Sequence, residues 1–282
     1  VNGTTNYILT KMQTEGSEFD DVLADAQRLG YAEADPTADV DGLDAGDKIA
    51  ILASLGFDGR INRDDVYCEG IRQVTKTDIA YSAKLGFVIK LLGIAQHLDQ
   101  DNSRLSVRVH PTLVPQTHPL ASINGVYNAI LVEGEPIGQV MLFGPGAGAG
   151  ATASAVSSDI LNLVATLKTN TAKPNPLLAC RHQHYSEITP ISELVTRFYA
   201  RFLSKDQAGV IGRLGTCFGN YGVSLESVVQ TGFQGELAEI VVVTHTVREG
   251  DFREALAEIQ AMESIDSICL LYTSDAADEE DS

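Results

Sequence analysis

A carboxylate-rich stretch that ends in a lysine is the part of this sequence whose residue types and spacing suit chemistry. It reads "GYAEADPTADVDGLDAGDK" from Gly30 to Lys48. If the chain is helical from Leu43 onward, Asp44 and Lys48 lie on one helix face, because positions i and i+4 are neighbours there. A lysine held beside a carboxylate stays charged and can donate a proton to an oxygen that becomes negative during a reaction. Asp44 and Lys48 are therefore a candidate proton-donating pair.

The carboxylates before this pair could bind a positively charged substrate group. Glu33, Asp35 and Asp39 could receive an ammonium group, and Tyr31 offers a hydroxyl beside them. Together with the lysine, these groups suit a small amino acid that carries a carbonyl or a hydroxyl. The competing interpretation is an ordinary charged surface, since an exposed Asp–Lys pair contributes only about 0.3–0.5 kcal/mol and each acid ahead of a helix about 0.3–1 kcal/mol. Spacing alone favours the surface interpretation.

A glycine-rich stretch, "FGPGAGAGAT" from Phe143 to Thr152, is a second candidate for ligand binding. It follows a predicted strand and opens a predicted helix, so its backbone amides could approach a phosphate or a nicotinamide. The stretch does not match GxGxxG or a P-loop. Gly146, Gly148 and Gly150 could equally permit close packing of a helix on a sheet.

Composition narrows the class of protein. The chain has 282 residues, enough for about two domains, and 44% of them are apolar, enough for a core. A net charge of −18 argues against nucleic acid as a partner, because phosphate binding needs clustered Lys and Arg. No apolar run reaches the ~18–20 residues that a membrane span needs, so no membrane association is expected.

The cysteines and histidines indicate neither disulfides nor a metal. The four cysteines are scattered with no CxxC pair, which favours a reducing, cytoplasmic setting. His182 and His184 form an HxH pattern, but in a polar linker this is more typical of solvated side chains than of a metal site. We expect no metal.

The elements that must position the acidic stretch are predicted to be helices. Residues 1 to about 60 contain three segments with helical periodicity. The second, "SEFDDVLADAQRLG", has Ser17 at its N-cap position and Gly30 as its terminator. The third, "GLDAGDKIAILASLGF", begins within the acidic stretch and is predicted to bury one side. Its predicted buried residues are Leu43, Ile49, Ile51, Leu52 and Leu55.

Residues 64 to 168 are predicted to mix strands and helices. "AKLGFVIKLLGIAQHLD" indicates a helix followed by a strand, and "SRLSVRVHPTLVP" alternates with period two, as a strand does. "GVYNAILVEGEPIGQVMLFGPGAG" indicates two strands around the turn "EGEP", and a helix of small residues follows. Residues 169–192 contain Pro174, Pro176 and Pro190 without periodicity and are predicted to be a linker between domains.

The last part of the chain predicts a small separate module. Residues 193–272 carry strand, helix, strand, strand, helix and strand patterns, and the order βαββαβ describes a ferredoxin-like unit. The predicted fold class is therefore α/β (α+β), with a mixed-sheet domain over residues 1–168 followed by the linker and this module. The acidic tail, residues 273–282, is predicted to be disordered and not native.

Taken together, these motifs resemble the homoserine dehydrogenase family. The family's substrate domain has a long signature, in which Ala and Gly precede an acidic stretch with Asp-Pro, and Asp, Gly, Asp and Lys follow at fixed intervals. The residues in that register are Ala26, Gly30, Tyr31, Asp35, Pro36, Asp39, Val40, Gly42, Asp44 and Lys48. "NGTTNYIL" and "GPGAGAGATASAV" are similar to further family segments, so the resemblance covers residues 1–168. Residues 193–272 resemble the ACT regulatory module often appended to this enzyme.

The resemblance implies a reaction and a role for each candidate residue. The family reversibly reduces aspartate 4-semialdehyde to L-homoserine with NADH or NADPH. By resemblance, Lys48 donates the proton to the aldehyde oxygen, and Asp44 holds the substrate and orients the lysine. The substrate-binding residues implied in this way are Glu33, Asp39, Tyr31 and Thr4, and the cofactor-binding residues are Gly148 and Gly146.

The resemblance also implies partners, and a domain that this sequence does not contain. A Rossmann domain with the family's glycine fingerprint and a further lysine is expected ahead of Val1, so this chain alone is expected to bind NAD or NADP poorly. Threonine, the end product of the pathway, is the expected effector of the ACT-like module, where Gly209 would allow a small ligand to approach closely. A homo-oligomer, at least a dimer, is also expected.

Two other hypotheses stay open on the sequence alone. One is a non-catalytic amino-acid sensor built around the βαββαβ module, whose copies would pair side by side and hold a ligand at the seam. The other is an aldehyde- or keto-acid-binding domain of a different dehydrogenase. The long register from Ala26 to Lys48 argues against this second alternative.

Overall fold

The computed structural model describes residues 2–57, 59–99, 104–169 and 184–273. Its strands and helices form a mixed α/β architecture, which confirms the predicted fold class. Most of the predicted linker, with Pro174, Pro176 and His182, lies outside the described residues, as does the predicted tail beyond Thr273. Among the described residues, no helix is both long and apolar enough to cross a membrane.

Four helices open the chain, as the sequence predicts for three of them. They are α1 (Gly3–Glu15), α2 (Phe19–Arg28), α3 (Thr37–Val40) and α4 (Leu43–Gly56). The N-cap of α2 is Glu18, whose side chain makes no capping bond, so the prediction of Ser17 at that position is wrong by one residue. Gly30 does end this segment, with φ +78°, a left-handed conformation that glycine adopts without strain. The four-residue α3 was not predicted.

Helix α4 buries a different face from the one predicted. Leu43, Ile51 and Leu55 are 41%, 62% and 70% exposed, so their predicted burial is wrong. The buried residues of α4 are Ala45, Gly46, Ile49, Ala50 and Ala53. This face is made mostly of small side chains because the chain after α4 approaches very closely. A Cβ placed on Gly46 would lie 2.5 Å from the Arg63 guanidinium.

The middle of the chain supplies a sheet, a hairpin and a long helix. Its elements are β1 (Tyr67–Cys68), α5 (Lys76–Lys84), β2 (Phe87–His97), β3 (Leu105–Pro115), β4 (Tyr127–Gly134), β5 (Gly138–Pro145) and α6 (Ala149–Thr169). Strand β3 pairs antiparallel with β2 and parallel with β1. Strands β4 and β5 form the predicted hairpin as a separate two-stranded sheet. Helix α6 has no buried residue.

The last part of the chain, residues 195–273, folds as the predicted βαββαβ unit with two short strands added. Its elements are β6 (Val195–Thr196), β7 (Phe198–Lys205), α7 (Val210–Asn220), β8 (Leu225–Gln234), β9 (Leu237–Thr244), β10 (Val247–Arg248), α8 (Glu249–Gln260) and β11 (Ile265–Thr273). The short strands β6 and β10 pair with each other. Phe198, Phe202, Phe218 and Phe252 form the centre of this unit's core.

The two parts of the chain share one sheet. The strand order is β1-β3-β11-β7-β9-β8, and β2 also pairs with β3, outside this order. The junction is a short parallel pairing in which Tyr272 lies opposite Thr112, and Thr273 opposite Leu113. Strand β3 is consequently buried along nearly its whole length, polar residues included. The C-terminal unit is therefore packed edge to edge against the sheet that supports the acidic stretch.

Candidate active site

Within the acidic stretch, residues 39–44 form a tight turn, the acidic turn, from the end of α3 into the first residues of α4. Gly42 caps α4 with φ +80°, and its amide donates to the carbonyl oxygen of Asp39 at 3.0 Å. A Cβ at Gly42 would lie 3.2 Å from Cγ1 of Val109 on β3. Only glycine therefore suits this position, both for its backbone conformation and for the closeness of the sheet. Asp39 and Asp44 lie at the two ends of this turn.

The predicted pair of Asp44 and Lys48 is present. Lys48 Nζ donates to Asp44 Oδ2 at 2.6 Å, one helical turn apart on α4. The side chains are 47% and 32% exposed, so the pair lies at an open surface and not in a closed pocket. Ile51 and Leu55 follow at i+7 and i+11 from Asp44, so two exposed apolar side chains continue the same helix face.

Asn2 joins the two acidic side chains, and sequence reasoning missed it. Its Nδ2 lies 2.6 Å from Asp39 Oδ1 and 2.7 Å from Asp44 Oδ2. Its Oδ1 accepts from the Thr5 amide at 2.8 Å, which makes Asn2 the N-cap of α1. One buried amide thus donates to both carboxylates and also fixes the start of a helix. The available signal was an Asn directly before a helix, which predicts a cap but not its carboxylate partners.

The other predicted substrate residues are distributed around this cluster. Thr4 is buried, and its hydroxyl donates to the backbone oxygen of Tyr31 at 2.6 Å, so it anchors the start of the acidic stretch to α1. Tyr31 is 45% exposed and its ring lies 5.0 Å from that of Tyr7. Glu33 is exposed on the same stretch.

Three further acids of the stretch are used in local structure, and one of them, Asp47, pairs with Arg63. Asp35 accepts from the Thr37 amide at the start of α3, and the hydrogen bonds from Thr37 hold the pKa of Asp35 below its usual value. Asp41 pairs with Arg72. The carboxylates left to face a ligand are therefore those of Glu33, Asp39 and Asp44.

The glycine-rich stretch lies between β5 and α6. A Cβ on Gly146 would fall 1.5 Å from Nδ2 of Asn128 on β4, so this glycine permits the loop to lie against the hairpin. Gly148 has φ +107° and no atom within 4 Å of its missing Cβ, so one side of it is open. Neither glycine packs a helix on a sheet, since α6 buries none of its residues.

The glycine-rich stretch and the acidic turn meet the same end of α1. Strand β5 ends opposite Tyr127, whose carbonyl oxygen accepts from Asn6 Nδ2 at 3.0 Å. The preceding carbonyl, that of Val126, lies 3.0 Å from the position a Cβ would take on Gly3. Asn2, one residue earlier, contacts the acidic turn. The start of α1 therefore contacts the acidic turn directly, and it contacts the beginning of β4, which pairs with the glycine-rich stretch.

The described residues contain no group of three or more His, Cys, Asp or Glu side chains arranged to hold a metal ion. They do form a cavity of about 140 Å³ in the C-terminal unit, next to the turn between β7 and α7. Gly209, with φ +85°, and the fully buried Ser204 are among the residues that line it, and the Ser204 hydroxyl has no hydrogen-bond partner among the described residues. A buried polar group without a partner is rare in folded proteins and calls for an explanation.

Comparison with known proteins identifies the family. Residues 1–161 match the family described as homoserine dehydrogenase, and residues 198–264 match the ACT domain. The chain belongs to the homoserine dehydrogenase family. Its C-terminal unit is accordingly an ACT domain.

Relatives in this family align with nearly the whole chain. The homoserine dehydrogenase of Synechocystis sp. is 63% identical over 95% of this chain and 63% of its own length. The homoserine dehydrogenase of Bacillus subtilis is 41% identical over 96% of this chain and 62% of its own length. This chain thus spans less than two thirds of the length of either relative.

Solved structures of family members have the same architecture. The crystal structure of a homoserine dehydrogenase from Thiobacillus denitrificans superposes with a TM-score of 0.88 at 35% identity, covering 97% of this chain and 62% of the other. That of the Staphylococcus aureus homoserine dehydrogenase gives 0.71 at 31% identity.

Proposed function

We propose that this chain is the substrate-binding and regulatory part of a homoserine dehydrogenase, which reversibly reduces aspartate 4-semialdehyde to L-homoserine with NADH or NADPH. The observation that carries the proposal is the cluster of Lys48, Asp44, Asn2 and Asp39 in a chain of this family. Residues 1–168 form the substrate domain in this proposal, residues 169–192 the linker and residues 193–272 the regulatory domain.

The chemistry follows from the charges around Lys48. When bound, NADPH or NADH supplies the hydride that the aldehyde carbon receives. Negative charge develops on the aldehyde oxygen, and a fixed cation at that oxygen stabilises the charge as it forms. Lys48 then donates the proton that completes the alcohol, and Asp44 holds the lysine in place. Asp39 and Glu33 attract the substrate ammonium group.

The cofactor contact within this chain is proposed for the glycine-rich stretch. Gly148 fits this role because the space beside it is open and its left-handed backbone lets the start of α6 face a ligand. Gly146 fits only through its backbone, because Asn128 fills the space beside it. The dinucleotide-binding Rossmann domain lies in the rest of the protein in this proposal. The proposed location of the protein is the cytoplasm.

The test is a chimera in which this chain is joined to the part of the Synechocystis enzyme that it does not match. Oxidation of homoserine with NADP and with NAD is then measured. Lys48→Ala should lower kcat about 10²–10⁴-fold, the usual contribution of a general acid or base. Lys11→Ala is the matched control, because Lys11 also pairs with an acid four residues away, at Glu15. Full activity in Lys48→Ala would show that another group donates the proton.

A second function, binding of an amino-acid effector, is favoured by the cavity in the ACT domain. Threonine is the proposed effector, and the unpaired hydroxyl of Ser204 is the group we expect to bind it. Calorimetry on the whole chain with threonine, isoleucine and methionine tests this. Ser204→Ala should weaken threonine binding about tenfold, whereas Ser157→Ala on the exposed face of α6 should not change it. Absence of heat with all three amino acids would contradict the proposal.

A homo-oligomer is also part of the proposed function. Strand β8 is the edge of the shared sheet, and it exposes apolar side chains such as Val229 and Phe233. An unpaired apolar edge strand favours association with another strand. Sedimentation of the purified chain across a range of concentrations measures the mass, and a monomer at every concentration would contradict this part.

A further inference from the structure

We propose that Glu69 and Arg253 are positioning residues for the acidic turn, so that the ACT domain holds the carboxylates that bind the substrate ammonium group. This inference rests on the proposed function, which gives that turn its role in binding substrate. The mechanical connection itself is made by contacts within the described residues. The connection has three parts: the ACT helix α8, a segment made of residues 67–72, and the turn between α3 and α4.

The first contact joins the ACT domain to segment 67–72. Arg253 Nη2, on α8, lies 2.9 Å from Glu69 Oε2 and 2.9 Å from the hydroxyl of Tyr67. The same nitrogen lies 2.8 Å from the hydroxyl of Tyr272 on β11, and Arg253 Nε donates to Glu249 at 2.7 Å. One guanidinium thus binds groups from both parts of the chain.

The environment of this contact makes it strong. Tyr272 is fully buried, and Glu249 is buried beside it on α8. Tyr67 donates a further hydrogen bond to Glu69 Oε2 at 2.6 Å. Hydrogen bonds that involve a charged partner are stronger than neutral ones. The Arg253 and Glu69 side chains are 39% and 27% exposed, so the number of hydrogen bonds at this point, and not deep burial of the pair, fixes the position of Glu69.

The second contact joins segment 67–72 to the acidic turn. The amide of Ile71 donates to the carbonyl oxygen of Val40 at 2.8 Å. A Cβ on Gly70 would lie 2.1 Å from that same oxygen and 2.4 Å from Cα of Asp41, so the two backbones are in direct contact. Arg72 completes the contact through its ion pair with Asp41.

The connection ends at the groups that bind substrate in the proposed function. Val40 and Asp41 are the residues between Asp39 and Gly42, and Asp44 follows two residues later. A shift of segment 67–72 would move the turn and change the spacing of Asp39 and Asp44 around Asn2. Arg253 acts on these carboxylates only through Glu69 and the backbone, since it contacts neither of them.

The first experiment measures the turn directly and does not depend on activity. Amide hydrogen exchange is followed in the whole 282-residue chain for Glu69→Gln and Arg253→Lys. We expect exchange at Gly42 and Ile71 to become about tenfold faster, as loss of one charge-assisted bond predicts. Amides in the last turn of α1, at the end of the helix opposite Asn2, serve as the internal reference and should not change. Arg248→Lys is the control variant, because Arg248 forms an exposed ion pair with Asp251 at the start of the same helix.

Each outcome of this experiment decides the inference. Faster exchange confined to the turn and segment 67–72 supports it. Unchanged exchange at Gly42, or an equal rise at all amides including those of α1, would overturn it in favour of a merely structural bond. Glu69→Gln preserves the shape of the side chain, so its result decides the matter should Arg253→Lys fail to fold.

The second experiment tests the consequence for binding. In the chimera described above, Glu69→Gln should raise the KM for homoserine about three- to tenfold while kcat falls less, because the ammonium site is altered more than the proton donor. An equal loss in kcat with KM unchanged would contradict a positioning role. If the unsubstituted chimera is inactive, the proposed function fails, and the exchange measurement still decides whether Arg253 holds the turn.

Discussion

At the scale of single residues, Asn2 solves an electrostatic problem that the acidic turn creates. Asp39 and Asp44 would repel each other if both faced only water and one another. The amide of Asn2 donates to both, and its oxygen is turned away to the cap of α1. An amide does this without adding charge, so the site keeps the negative potential that binding of an ammonium group requires in the proposed function.

Replacing Asn2 should therefore damage binding more than stability. Asn2→Ala removes a helix cap, which lowers the free energy of unfolding by about 0.5–2 kcal/mol. It also leaves the two carboxylates without their shared donor, so the KM for homoserine in the chimera should rise about tenfold or more. Ser54→Ala is a control on α4, where the Ser54 hydroxyl accepts from the Ile61 amide. Equal effects of the two substitutions on KM would contradict this role of Asn2.

A buried lysine on β2 gives a prediction that does not depend on catalysis. Lys90 Nζ donates to the side-chain oxygens of Asn6 and Asn124 and to the carbonyl oxygen of Ile123. None of these acceptors is charged, and burial lowers the pKa of Lys90 from 10.5 to about 8. In the unfolded chain the lysine keeps its proton up to about pH 10.5. Between pH 8 and pH 10.5 the unfolded state therefore binds more protons than the folded state, so the free energy of unfolding must rise with pH.

Comparison with the Lys90→Met variant isolates the contribution of Lys90 to the pH dependence of stability. The unfolding free energy of the unsubstituted protein, minus that of Lys90→Met, should rise by up to about 3 kcal/mol between pH 7 and pH 10.5. Urea unfolding followed by circular dichroism at several pH values measures both. Lys168→Met, at the exposed end of α6, controls for the loss of one positive charge. A difference that stays constant with pH would show that Lys90 is not desolvated.

At the scale of elements, the acidic turn depends on direct contact between its backbone and the backbone of segment 67–72. Gly70→Ala places a methyl group 2.1 Å from the carbonyl oxygen of Val40, and neither backbone can rotate away from it. We expect a loss of about 2–3 kcal/mol in the free energy of unfolding, as for an overpacked core. Gly56→Ala is the matched control, since no atom lies within 4 Å of its missing Cβ and it lies in the last turn of α4. That control should be neutral or stabilising by up to about 1 kcal/mol.

The elements also show which patterns in the sequence are informative. Periodicity predicted α1, α2, α4, the β4–β5 hairpin and the order of the C-terminal elements, because each has a clear apolar repeat or turn signal. It failed on the face of α4, since Ala and Gly carry little hydrophobic weight although they allow the closest packing. The large apolar residues Ile51 and Leu55 lie instead on the face of Asp44 and Lys48.

The candidate site was predictable where it depends on one helix and not where it depends on distant contacts. The pairing of Asp44 with Lys48 follows from helical spacing alone. The contact of Asn2 with Asp39 spans 37 residues, and no local pattern encodes it. The link from Arg253 to Glu69 spans 184 residues and depends on how two units pack.

At the scale of the whole molecule, the two units are joined by more than the chain between them. The parallel pairing of β11 with β3 makes their sheets continuous. A second buried connection lies on the other side of the sheet junction, where Arg201 on β7 binds the carboxylate of Asp78 on α5. Both side chains are almost fully buried, at 5% and 0% exposure. The sequence patterns of the separate units carry no information about either connection.

We therefore expect the N-terminal part of the chain and the ACT domain to unfold together. Arg201→Met leaves Asp78 as a buried carboxylate without its cation, which should lower the free energy of unfolding by about 3–5 kcal/mol. Arg28→Met removes an exposed ion pair with Asp25 and should leave the free energy of unfolding nearly unchanged. Thermal unfolding followed by circular dichroism and by protease cleavage within each unit should give one common transition in the unsubstituted protein. Two transitions, with the ACT domain unfolding independently, would show that the shared sheet and the Arg201–Asp78 pair do not couple the units.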